Sequence, residues 1–223
     1  MGGVIGDILP LALGVAISPV PIIAVILMLF SKRAKGNGPA FLLGWITGLS
    51  AAFWIVYAIA GTADIATKSG PSRGASIVRL VLGVLLFIAA WRNWRKRREP
   101  GEEPAMPKWM STIDTITPIK SFGLATLLSG ANPKNLALTL AASMAVSQGG
   151  MGGGKSAIAF AVFLVIAIVS VAVPVMASLL LKEKSEKLLN GWKVWLSGNN
   201  ATVMFVLLLV FGVVLIGKGR AGL

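Results

Sequence analysis

Ser129-Gly130-Ala131-Asn132-Pro133-Lys134-Asn135 interrupts an apolar run that covers residues 122–146. A proline removes a backbone donor and clashes with the turn before it. It also drives the preceding residue, Asn132, towards extended geometry. Lys134 adds a charge, and Asn132 and Asn135 add amides. Inside a bilayer such a break survives only where it is buried in protein or lines a cavity, and an intramembrane charge marks a candidate functional site.

The flanking composition supplies the bilayer. The chain has 223 residues, of which 56% are hydrophobic, and its mean hydropathy is +0.82. Several runs reach the roughly 20 residues needed to cross a hydrocarbon core. The expected class is therefore an all-α integral membrane protein, a single membrane domain overall. The first run reads as a span rather than a cleaved leader, because it lacks a basic start, carries Asp7 and continues past Pro19 and Pro21. A net charge of +13 would suit nucleic acid, but the basic residues cluster beside hydrophobic ends, as topology determinants do. No nucleic-acid partner is expected. The chain has no Cys and no His, which excludes thiol redox chemistry, Cys or His metal ligation and His base catalysis. No cofactor, no metal site and no enzymatic activity are expected.

Six spans are expected, over residues 4–30, 40–59, 76–90, 122–146, 157–181 and 201–216. Two amphipathic stretches are read as helices lying in the interface. One places Met106, Trp109, Met110, Ile113 and Ile116 on one face, and the other Leu188, Leu189, Trp192, Trp195 and Leu196. Six spans put Lys32, Arg33, Lys35, the basic run 92–98, Lys108, Lys120, Lys187 and Lys193 on one side, which the positive-inside bias makes cytoplasmic. Residues 31–38, 92–120 and 182–198 are then cytoplasmic and both termini extracytoplasmic, in a multi-pass protein of the plasma (inner) membrane.

The halves repeat. Ser18-Pro19-Val20-Pro21 interrupts the first span as Asn132-Pro133-Lys134-Asn135 interrupts the fourth. Val81-Leu82-Gly83-Val84 has its counterpart in Val210-Phe211-Gly212-Val213. Three spans per half make the repeat inverted: residues 1–98, a cytoplasmic linker with an interfacial helix over 99–118, and residues 119–223. Paired interrupted spans in inverted halves point to a transporter's central site. The expected substrate-binding residues are Asn132, Pro133, Lys134, Asn135, Ser18, Pro19 and Pro21, with Lys134 attracting an anionic group and the amides orienting it. Length alone leaves open whether the broken segments cross the membrane or re-enter from each side.

Gly149-Gly150-Met151-Gly152-Gly153-Gly154-Lys155-Ser156 satisfies the phosphate-loop pattern, which needs a preceding strand. None is signalled, and the stretch is read as a turn between spans. Asp7, Asp64 and Asp114 fall at or beyond span ends, so the bundle lacks the embedded carboxylate usual in proton-coupled carriers.

With these two breaks, and with Leu29-Phe30-Ser31 following the first, the sequence resembles the LysE transporter superfamily, and within it the GAP (glycolipid-addressing protein) family, over essentially the whole chain. The resemblance implies export or flipping of an envelope glycolipid or related anionic lipid outward across the plasma membrane. Cysteine-free breaks depart from the electron-relaying cousins. The missing His and buried carboxylate depart from the metal-exporting ones.

The expected partners are membrane lipids, the cargo among them, with homo-oligomers and envelope-lipid synthesis or export proteins as further candidates. Two rival functions remain on this reading: a small-solute, amino-acid-like exporter of the same fold, and a non-transporting assembly factor for lipid export.

Overall fold

The computed structural model describes residues 1–62, 66–67, 70–71, 73–95, 115–181 and 183–221. Helix α1 (Gly2–Ala16) and helix α2 (Pro19–Phe30) meet at a 52° bend. Helix α3 spans Ala34–Thr62. A short antiparallel pairing of β1 (Ala66–Thr67) with β2 (Gly70–Pro71) precedes α4 (Arg73–Arg95). Helices α5 (Pro118–Gly130), α6 (Pro133–Gln148), α7 (Gly153–Leu181) and α8 (Glu183–Arg220) complete the order.

Both expected breaks are helix boundaries built the same way. Pro19 and Pro133 each stand at the first helical position, where the missing N–H costs nothing. Ser18 and Asn132, the residues before them, are both extended. Asn132 also caps α6, its side chain accepting from the Lys134 N–H at 3.0 Å.

The protein is a multi-pass membrane protein by the length and composition of its helices. Among the described residues α3, α4, α7 and α8 are long and apolar enough to cross, and the bent pair α1–α2 makes a fifth span if it is counted as one. At about 1.5 Å per residue neither α5 nor α6 alone reaches across a hydrocarbon core of about 30 Å. Apolar side chains also cover the outside, with Ile55, Leu85 and Val165 each more than half exposed. Such a surface belongs in lipid rather than water.

The expected interfacial helix around Trp109 lies outside the described residues, except for Ile116, which packs against the core. The second is not a separate element. Its residues form the first turns of α8, which runs without interruption into the sixth expected span. Between the amphipathic stretch and that span, Asn199 bonds back to the Trp195 carbonyl at 2.9 Å and so stays within the helical ladder. Trp192 and Trp195 remain exposed on this extension.

The core draws on α1, α2, α3, α6 and α7, with further residues from α4, α5 and α8. Phe53 packs on Phe160 and Phe163 with ring centroids 4.8 and 5.7 Å apart, and Ser143 of α6 bonds the Phe53 carbonyl at 2.8 Å. Along α3, Gly44 and Gly48 let α5 lie flush: a Cβ at either would collide with the α5 backbone. This is the small-xxx-small solution to packing where lipid supplies no hydrophobic drive. Thr126 of α5 adds a bond to the Gly44 carbonyl at 3.1 Å.

Candidate functional site

A helix leaves its last carbonyls without partners, and at the end of α1 the chain supplies donors to them from Ile17, Ser18 and Lys134. The Leu13 carbonyl accepts from the Ile17 N–H at 2.9 Å, and that of Ala16 from the Ser18 N–H at 2.9 Å. Ser18 Oγ reaches the Val15 carbonyl at 2.8 Å. The remaining two are served from 120 and 117 residues away. Lys134 Nζ donates to the Gly14 carbonyl at 2.7 Å and to the Ile17 carbonyl at 2.9 Å.

The third ammonium proton goes to Ser18 Oγ at 2.6 Å, so all three donors of Lys134 are engaged. The residue is 2% exposed. A cation at the carbonyl end of a helix also meets the negative end of its dipole. No carboxylate forms an ion pair with it among the described residues, where the recorded salt bridge joins Lys218 and Asp7.

Asn135 ties the other half of the break. Its Nδ2 donates to the Leu128 carbonyl of α5 at 3.1 Å, and its Oδ1 lies 3.0 Å from Ser18 Oγ. Ser18 has one proton for two acceptors, the Val15 carbonyl and this amide oxygen. One turn beyond Asn135, Thr139 Oγ1 is buried without a hydrogen-bond partner.

The structure therefore brings Ser18, Lys134 and Asn135 into one hydrogen-bonded cluster. Asn132 and Pro133 stand at its edge, half-buried and exposed. Pro19 and Pro21 are buried in the first turn of α2 and shape the break without a polar contact of their own. Sequence reasoning missed the Gly14 and Ile17 carbonyls. The only signal was Gly14 itself, a small residue that Phe211 and Leu138 crowd so closely that a Cβ would not fit.

The phosphate-loop match resolves as a turn. Helix α6 precedes it, Gly150 takes a positive φ of 58°, and Lys155 and Ser156 lie in the first turn of α7. Ser156 accepts from the Tyr57 hydroxyl at 3.0 Å, so its hydroxyl is part of the α3–α7 packing.

The family model described as "Sap, sulfolipid-1-addressing protein" matches residues 8–221. No curated protein and no solved structure matches the chain. The chain belongs to the sulfolipid-1-addressing protein family.

Proposed function

We propose that this member of the sulfolipid-1-addressing family is a plasma-membrane exporter or flippase that moves an anionic glycolipid outward, built as a six-span inverted repeat of the LysE type. The observation that carries the reading is Lys134, a cation buried between two broken helices with carbonyls and a hydroxyl for partners and, among the described residues, no carboxylate. Charges in membrane interiors are retained where they pair with something. An anionic headgroup is the partner that this site lacks.

In this mechanism Lys134 exchanges the α1 carbonyls for the headgroup. Losing the lysine frees the end of α1, so cargo binding and rearrangement of the break are one event. The conformation described here has the lysine latched on the carbonyls. Ser18, Asn135 and the unpartnered Thr139 hydroxyl offer the sugar its polar contacts along the same path.

The inverted repeat has support in the packing. Exchanging α1 with α5, α2 with α6, α3 with α7 and α4 with α8 maps several of the helix contacts onto one another, although α1 packs far more extensively on α6 than α5 does on α2. Helix α3 lies on α5 as α7 lies on α1, and α2 lies on α8 as α6 lies on α4, while α4–α8 and α3–α7 are their own counterparts. The fourth span is then the pair α5–α6 taken together, which brings the count to six.

The test is lipid movement in proteoliposomes, comparing the wild type with Lys134→Ala and Asn132→Ala, using labelled glycolipids and phospholipids and a labelled amino acid. Movement of an anionic lipid that both substitutions reduce is the expected result. Movement of the amino acid alone would replace the lipid by a small solute. Transport of neither, with insertion confirmed, would make the chain an assembly factor.

A further inference from the structure

The end of the bundle that carries both termini holds a second charged cluster, which the Lys134 site does not use. Asp7 of α1, Arg79 of α4, Gln148 of α6 and Lys218 of α8 converge there. Lys218 Nζ donates to Asp7 Oδ1 at 2.6 Å, and Arg79 Nη2 donates to Gln148 Oε1 at 2.7 Å. Asp7, Arg79 and Lys218 border a cavity of about 170 Å³ whose other walls include Leu11, Ala141 and Leu215. A water molecule's share of liquid volume is about 30 Å³, so the space suits a small polar group with part of its apolar attachment.

Three features of this cavity point to an anion on a lipid. Its lining carries two cations against one carboxylate. Gln148 Nε2, beside the guanidinium, is buried with no hydrogen-bond partner, so an unused donor stands next to the positive charge. The wall is also unequal: α4 packs closely along α8, whereas the α1 and α8 backbones approach at few points. At the level of the cavity the α1–α8 seam is bridged by the Asp7–Lys218 ion pair, and Phe211 of α8 packs on α1 further along, at Gly14. Both partners in the ion pair are part-exposed, at 54% and 37%, and an exposed pair of this kind opens at little cost.

We propose that this cavity binds the anionic headgroup of a lipid, a sulfate or phosphate ester, between Arg79 and Lys218, entering through the α1–α8 seam. Asp7 holds the place of that anion when the cavity is empty. An arriving headgroup replaces one anion by another at Lys218 and gains Arg79 as well, so the cation never has to stand bare. Asp7 lies about 10 Å of helix from Gly14, whose carbonyl holds Lys134. The two sites are therefore stations along one wall, α1. The lipid origin of the headgroup rests on the carrier reading above, whereas the anion site itself rests on the cavity and its charges.

The experiment is equilibrium binding to the purified full chain in phosphatidylcholine nanodiscs, with dihexanoyl phosphatidic acid, dihexanoyl phosphatidylcholine and inorganic sulfate as probes. Removing a charged donor removes a contact whose size corresponds to roughly tenfold or more in affinity. The short-chain phosphatidic acid should bind wild type, weaken at least about tenfold in Arg79→Gln and in Lys218→Gln, and tighten in Asp7→Asn. Phosphatidylcholine should not compete. Arg79→Lys, which keeps the charge, should retain most of the binding and separates lost recognition from lost folding. Unchanged binding in both glutamine variants, equal binding of phosphatidylcholine, or weaker binding in Asp7→Asn would overturn the proposal. Sulfate bound as tightly as the lipid would overturn the lipid assignment. Arg79→Gln and Lys218→Gln leave Lys134 and its carbonyl partners untouched, so unchanged probe binding in them is a failure of this site, distinct from a failure of the transport reading.

Discussion

Gly83 and Gly212 face each other across the α4–α8 crossing, each placed where the other's side chain would have to go. A Cβ on Gly83 would stand 2.9 Å from the Gly212 carbonyl oxygen, and one on Gly212 would stand 3.1 Å from the Gly83 carbonyl oxygen. The contact is reciprocal. These are the two glycines centred in the matched tetrapeptides of the two halves. Without a hydrophobic drive between helices, such close backbone approach is how membrane helices gain packing energy.

Substitution at this crossing should therefore act on assembly of the bundle rather than on the broken helices. Gly83→Val is expected to lower stability by about 1–3 kcal/mol, the usual cost of overpacking. Thermal unfolding in detergent reads it directly. Gly123→Ala, where a Cβ meets open space, is the control. It should leave stability unchanged or raise it by up to about 1 kcal/mol, since alanine is the better helix former. Equal behaviour of the two variants would contradict the packing described.

Lys134→Met removes the donors to the Gly14 and Ile17 carbonyls but keeps much of the side-chain volume. Each carbonyl left buried and unpaired costs about 1–3 kcal/mol. The variant should unfold at a clearly lower temperature and lose lipid movement. Ser18→Ala leaves Lys134 its two carbonyls and should cost only about 1 kcal/mol. A Lys134→Met protein as stable as wild type would show that the latch is not structural.

The chain has no cysteine, so single cysteines report topology on an otherwise unchanged background. Ile119, 84% exposed at the start of α5, and Gly152, open at the start of α7, bracket the second broken segment. If α5–α6 crosses, an impermeant maleimide applied to intact cells labels a cysteine at 152 and spares those at 119 and at Lys32. Labelling of 119 and 152 from the same side would make α5–α6 re-entrant and reduce the span count to five.

Lys155 belongs to a turn and a helix start, so Lys155→Ala should leave lipid movement intact, and a labelled nucleotide should bind neither protein. Tyr57→Phe, which breaks the bond to Ser156, should cost about 0.5–1.5 kcal/mol and serves as the measure of the α3–α7 contact. Nucleotide binding that Lys155→Ala abolishes would restore the phosphate-loop reading.

The positions of both breaks were legible because proline acts locally: Pro19 and Pro133 dictate extended geometry at Ser18 and Asn132 whatever surrounds them. The glycine pair was legible as a repeat but not as a contact, since two similar tetrapeptides do not say that they touch. The amphipathic stretch around Trp192 was legible as a face but misread as a separate helix. Asn199, which follows it, turns back onto its own helix, and periodicity does not register that bond. The Asp7–Lys218 cluster was not legible, because each charge taken singly looks like an ordinary span end.

From its sequence alone this protein is committed to a bilayer, to broken helices at Ser18-Pro19 and Asn132-Pro133, and to a charge beside the second break. Hydropathy and proline sterics are properties of neighbours in the chain. Only the tertiary structure decides what that charge touches. Lys134 is bound by backbone carbonyls 117 and 120 residues distant, and carbonyls carry no residue identity by which a sequence could announce them.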